Sequence, residues 1–423
     1  MALPFCYLLS IVLVIAHAAQ AMVYDNRFWP LYAQPFLSSQ DARWKFSVRA
    51  TFMNASEAFG APIDEEMMEG EEIPVFQLGG IYDEVLVDQA LRNAGVISES
   101  LFRSDMRFVT SHPDLHHFGF PFRQDGNISL QIGVFETFLE LTRHLGIGGS
   151  FFAGKVRSHF ALIREGTRFS PGEEKEILLI NQKIHEVLKL TPPSYSATVI
   201  SDTDLYARIF TTAHYKCKIR YLDVGLNLGV MIPTAAGDNF CNPAFIPVGG
   251  NKHFGMYAAF EGKFVLKEDL IFGLLLRVNK RFARSACYRM PVGSEPLHFG
   301  AIIGPARVNP GVTVIFSPRI QLDGLRNGLG VNLAYTLVHH FRDTWTDLRK
   351  DKMVPVNINA LEVRSGWGSD YGTITGFYDF GYDKEDACHA PVISFTVDIP
   401  FRGVVDKRIG KTYAVSIRIE SRL

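Results

Sequence analysis

Residues 222–232 read LDVGLNLGVMI, with Leu222, Val224, Leu226, Leu228, Val230 and Ile232 set against Asp223, Gly225, Asn227 and Gly229. Successive side chains of a β-strand point to opposite faces, so this stretch predicts a strand with one apolar and one polar face. The same period recurs along the chain. Trp44, Phe46, Val48, Ala50 and Phe52 alternate with Arg43, Lys45, Ser47, Arg49 and Thr51. Leu329, Val331, Leu333, Tyr335 and Leu337 alternate with Gly330, Asn332, Ala334 and Thr336, and Tyr413, Val415, Ile417 and Ile419 with Thr412, Ser416, Arg418 and Glu420.

About twelve such segments can be counted, starting near residues 43, 128, 147, 204, 220, 254, 270, 311, 329, 371, 392 and 412. Many reach the ~9–11 residues that a tilted membrane-spanning strand needs. The second and third, Ile128–Leu141 and Ile147–Leu162, alternate less cleanly. The connections alternate too. Thr142–Gly146, Tyr215–Lys218, Lys267–Asp269 and Asp323–Gly328 are short, whereas 54–127, 164–203, 233–253, 284–310 and 342–369 are long. Short turns at one end and long loops at the other are the asymmetry of outer-membrane barrels.

Composition agrees. Of 423 residues 47% are hydrophobic, 12% aromatic and 21% charged, with a net charge of −1. Such a chain is too apolar for disorder and too even in charge for a nucleic-acid partner. No uninterrupted apolar run of about 18 residues follows the N-terminus, so helical membrane spans are not expected. Residues 1–21 read as an export signal: Leu8–Ile15 is apolar apart from Ser10, and Ala19-Gln20-Ala21 is an A-x-A cleavage site. Residues 22–42 then form an N-terminal periplasmic segment and residues 43–423 the barrel domain.

The chain resembles Gram-negative outer-membrane β-barrel proteins of the porin-like kind. The residues that carry the resemblance are the export signal, the alternating strands and a final amphipathic strand in which Tyr413, Val415, Ile417, Ile419 and Leu423 share one face. In that family the last strand, usually ending in Phe, carries the signal read by the barrel-assembly machinery. Ser421 and a terminal Leu depart from that pattern. The resemblance implies an all-β, antiparallel up-and-down barrel in contact with outer-membrane lipid, acting as a channel for small hydrophilic solutes. The alternative is a non-conducting structural or adhesive surface protein.

With the apolar faces in lipid, the lumen collects Lys45, Arg49, Arg208, Asp223, Glu261, Lys263, Arg277, Arg319, Asp398, Arg418 and Glu420. Seven basic and four acidic side chains make a mixed, slightly positive lining. The loops carry helix signals. Ser170-Pro171-Gly172-Glu173 is a capping box leading into a stripe of Ile177, Ile180, Ile184 and Val187 or Leu188, and Asp83–Ala94 is a second helix, stopped at Gly95. Once the signal is removed, four cysteines remain. Cys241 and Cys287 fall in loops and Cys217 and Cys388 on the turn side. Of the three pairings Cys241–Cys287 is favoured, since a disulfide cannot span a ~25 Å apolar band.

Catalytic signatures are absent. There is no G-x-S-x-G, H-E-x-x-H, Walker loop or C-x-x-C, and no cofactor is expected. Ser158-His159-Phe160 lacks the His-x-Ser of outer-membrane phospholipases. His112, His116 and His117 lie in loop sequence, and His339 and His340, adjacent on a strand, face opposite ways, so no metal site is expected.

Overall fold

A computed structural model describes residues 26–29, 36–37, 43–60, 72–79, 82, 84–101, 122–164, 171–215, 219–237, 239–266, 269–382, 390–405 and 408–422. The expected export signal, His112, His116, His117, Cys217, Cys388 and Leu423 lie outside these residues.

Twelve strands close into one antiparallel barrel. They are β1 (Trp44–Ala55), β2 (Phe122–Thr142), β3 (Leu145–Arg164), β4 (Thr203–His214), β5 (Tyr221–Ile232) and β6 (Gly255–Val265). The circle continues with β7 (Leu270–Arg281), β8 (Val312–Arg326), β9 (Leu329–His340), β10 (Trp367–Asp379), β11 (Val392–Pro400) and β12 (Tyr413–Arg422). Each strand pairs with its neighbour in sequence, and β1 closes on β12 with Val48 opposite Ile419 and Ala50 opposite Ile417. A closed sheet leaves no strand edge unpaired, which lipid would not tolerate. The expected strand starts are met to within a few residues, with the largest differences at β2 and β10.

The outer surface decides between a lipid face and a protein core. One apolar residue from each strand (Val48, Phe135, Ile147, Ile209, Leu226, Phe260, Leu276, Phe316, Leu333, Ile374, Phe395 and Ile417) keeps 38–54% of its surface exposed. A continuous belt of this kind far exceeds the apolar patch that water tolerates on a soluble domain.

Turns and loops sort to opposite ends as expected. The β8–β9 turn uses Asn327 and Gly328, both at positive φ (45° and 94°), the conformation that Asn-Gly hairpins favour because it matches the twist of the flanking strands.

The blurred alternation of β2 and β3 has a physical cause. In their loop-side halves the inward residues Ile128, Leu130, Ile132, Phe152, Val156 and Phe160 are buried, while Gln131, Lys155, Arg157 and His159 point outward and are exposed. Polarity is therefore inverted relative to the lower barrel, where Phe135 faces out and Glu136 in. Here the strands have risen past the lipid belt: water lies outside and packed loop lies inside. The strand Ser194–Ile200 extends this part of the wall along β3, with Val199 buried inward.

The packed loop includes both expected helices. Helix α1 (Glu84–Asn93) buries Val87 and Leu91 and gives way to Gly95 at φ 67°. Helix α2 (Pro171–Val187) buries Ile180 and Ile184, with Leu188 just beyond. A third helix, α3 (Ile358–Ser365), was not foreseen. Its N-cap Asn357 accepts from the Ala360 N–H at 3.0 Å.

Candidate functional site

The inward residues of the barrel wall enclose a cavity of about 200 Å³. Lys45, Arg208, Asp223, Glu261, Lys263, Arg277, Arg319 and Asp398 line it, while Arg49, Arg418 and Glu420 are buried on the same inner face. Two carboxylates that the sequence reading passed over, Glu136 and Asp204, also line it. Both were legible by the same parity rule: Glu136 follows outward Phe135, and Asp204 stands an even number of residues from Arg208. With them, the cavity itself is lined by five basic and five acidic side chains.

Several inward charges are paired across strands. Arg277 contacts Asp204 at 3.0 Å, gives its Nε–H to Asn279 at 2.6 Å and lies 3.4 Å from the Tyr257 ring centroid. Arg208 bridges Asp223 at 3.1 Å and Glu261 at 3.7 Å. Arg418 meets Glu136 at 3.0 Å, and Arg422 meets Asp379 at 2.6 Å. Thr373 donates to Asp398 at 2.6 Å. Pairing is what makes buried charge tolerable in a narrow lumen. Gly273 gives Arg319 room to lie flat on the wall, since a Cβ there would stand 2.0 Å from its Nε.

The N-terminal segment does not hang below the barrel as expected. The Arg27 carbonyl accepts from Gly410 N–H and that of Phe28 from the Thr412 hydroxyl, both at the loop end of β12. Leu37, by contrast, gives its N–H to Glu420 at 2.9 Å and packs on Phe377 and Val392 near the turn end. Phe36 lines the central cavity, and the Arg418 guanidinium stands over its ring at 5.1 Å. The described parts of residues 26–37 thus occupy both halves of the lumen. Burial explains the position: Trp29 is fully buried, and Phe28 and Leu37 nearly so, which the periplasm could not provide.

A second cavity, of about 290 Å³, lies at the loop end. It is walled by the Asn26–Phe28 stretch, the 240–253 and 282–311 loops, His340, Asp343, Trp345 and α3. Arg27, Arg281, Arg289 and Arg364 line it against one carboxylate, Asp343. Desolvation, then the Arg27 and Arg289 charges, push His298 in its wall down to about 4. Buried Ile315 and Val338 point inward on β8 and β9 between the residues of the two cavities.

His339 and His340 do face opposite ways. His340 is buried inward and bonded to Thr313 and Asp343, whereas His339 packs edge-on to Phe341. Among the described residues no group of three or more His, Cys, Asp or Glu is placed to hold a metal ion. Cys241 and Cys287 both lie on the loop side, but the expected bridge is not formed and both thiols are free. Cys287 sits exposed opposite Pro305 on a small loop-side sheet, while the Cys241 carbonyl is bonded to the Thr191 N–H.

No protein-family model matches the chain, and no curated protein matches it in sequence. Solved structures do match. An outer-membrane channel from Pseudomonas putida F1 aligns over 92% of this chain and 99% of its own, with a TM-score of 0.51 at 9% identity. The toluene transporter TbuX of Ralstonia pickettii aligns over 91% and 90%, with a TM-score of 0.34 at 9% identity. The translocator domain of the autotransporter NalP of Neisseria meningitidis aligns over 92% and 91%, with a TM-score of 0.34 at 9% identity. The likeness to the Pseudomonas channel is one of fold: a membrane-type β-barrel, matched nearly end to end.

Proposed function

We propose that the chain is an exported outer-membrane channel that lets small hydrophilic solutes pass passively along its lumen. The observation that carries this reading is the pairing of a complete lipid-facing belt with a central cavity lined by charge. A barrel made only to be rigid would fill its interior with packed side chains, whereas this one keeps about 200 Å³ of open space among ten ionisable groups. Passage requires the segment at Phe36–Leu37 to shift, because it stands in the path. With five charges of each sign at the cavity, selectivity between small anions and cations is weak. The reading assigns the chain no catalytic reaction.

The test is conductance of the full chain in planar bilayers. Small, discrete steps with little ion preference are expected. A heat-modifiable, folded preparation that gives no steps and no solute uptake in liposomes would overturn the reading. It would favour a non-conducting surface protein, for which the packed loop domain and the tied N-terminal segment also speak.

A further inference from the structure

The two cavities differ in charge. The central one is balanced, but the loop-end one sets four guanidiniums against Asp343, whose carboxylate is already engaged by His340 at 3.0 Å and by the Gly311 N–H at 2.8 Å. Arg281 is paired with Asp202 at 2.8 Å. Arg289 is held by three backbone carbonyls, those of Leu188, Phe240 and Gly300. Arg27 gives Nη1–H to the Arg364 carbonyl at 3.1 Å. Carbonyls fix a guanidinium in place without neutralising it. Burial, then the like charges of Arg408 and Arg364, hold the Arg27 side chain down to about 10 against the opposing pull of Asp343, so positive charge outweighs negative in this corner.

The rest of the wall is aromatic and aliphatic. Phe28, Phe245, Tyr288, Trp345, Leu361 and Trp367 line it. A volume of about 290 Å³ is at the lower end of small-molecule sites. Fixed cations beside aromatic faces in a small cavity select one kind of ligand: a small anion with an apolar body.

We propose that this loop-end cavity is a binding site for a small aromatic carboxylate, its charge beside Arg27 and Arg289 and its ring among the aromatic side chains. Planar guanidiniums match a carboxylate in geometry and charge, and neither lipid nor an inorganic ion would use the aromatic wall. Binding here is independent of whether the barrel conducts, so the two readings fail separately.

The experiment titrates the folded, detergent-solubilised full chain with benzoate and follows tryptophan fluorescence, which Trp345 and Trp367 in the wall report directly. Benzyl alcohol, with the ring but no charge, and acetate, with the charge but no ring, are run alongside. Saturable benzoate binding at least about ten-fold tighter than either is expected. Arg27→Gln weakens it by about ten-fold or more, and Arg27→Lys restores part of it. Asp343→Asn tightens it, which keeps the proposal testable should Arg27→Gln not fold. Equal binding of benzoate and benzyl alcohol, no saturable benzoate binding, or an Asp343→Asn variant that binds benzoate no more tightly would each overturn the proposal.

Discussion

Leu37, seven residues before the first strand, gives its backbone N–H to the Glu420 carboxylate on the last strand at 2.9 Å. Both groups are buried, and the bond ties the N-terminal segment to the wall in the turn-side half of the lumen. Glu420→Ala removes the acceptor and frees the segment there. The expected outcome is larger or more frequent conductance steps in planar bilayers with unchanged heat-modifiability. Wild-type steps from a folded variant would show that Leu37 does not limit the path.

Arg277 and Asp204 are both buried and 3.0 Å apart. Arg277→Met leaves a buried carboxylate without its main partner, at a cost of about 3–5 kcal/mol. Adding Asp204→Leu recovers most of that loss, because an apolar pair of similar size needs no hydration. Denaturant unfolding of the single and double variants, followed by gel shift or fluorescence, measures both.

The polarity inversion on β2 and β3 marks where lipid ends. Phe260, in the middle of β6, is outward and 40% exposed within the belt. Phe260→Arg costs about 2–4 kcal/mol if it meets the bilayer near its midplane. Gln131→Arg, outward on β2 above the inversion, costs about 0–1 kcal/mol. Folding titrations into vesicles distinguish the two positions, and equal costs would contradict the boundary.

His298 supplies a pH dependence. Its value in the folded chain, about 4, lies below the ordinary 6.5, so the unfolded chain binds the extra proton more readily between those limits. Stability is therefore full above about pH 6.5 and falls as the pH drops toward 4. Limited proteolysis of the loop end at pH 7 and at pH 4.5 reads this directly. His298→Gln flattens that part of the profile.

The barrel was legible because its two environments, lipid and lumen, impose a strict period of two on each strand. Val48 with Arg49, or Ile417 with Arg418, can be assigned to opposite faces from four neighbouring residues. The parity rule also reaches Glu136, which follows outward Phe135, and Asp204, four residues before Arg208. It failed in the upper halves of β2 and β3 because a third environment, packed loop, replaces the lumen there. The course of residues 26–37 was not legible at all. Its partners, Thr412, Glu420 and Gln321, are hundreds of residues away, and no local period connects them. Helix α3 is capped by Asn357, but its packing on the loop-side sheet comes from distant strands.

The bonds of the N-terminal segment have a consequence for the order of assembly. At both ends its described contacts include β12 or the residues just before it: Gly410, Thr412 and Glu420. Thr412 and Glu420 are separated by roughly 26 Å of strand, so the segment is held along most of the barrel's height by the final strand of the chain. None of these bonds can exist until that strand arrives, and its arrival against β1 is also what seals the cylinder. Sealing the seam therefore also completes the hold on the segment, whose remaining bonds, to Pro247, Gln321 and Arg364, come from earlier parts of the wall and loops.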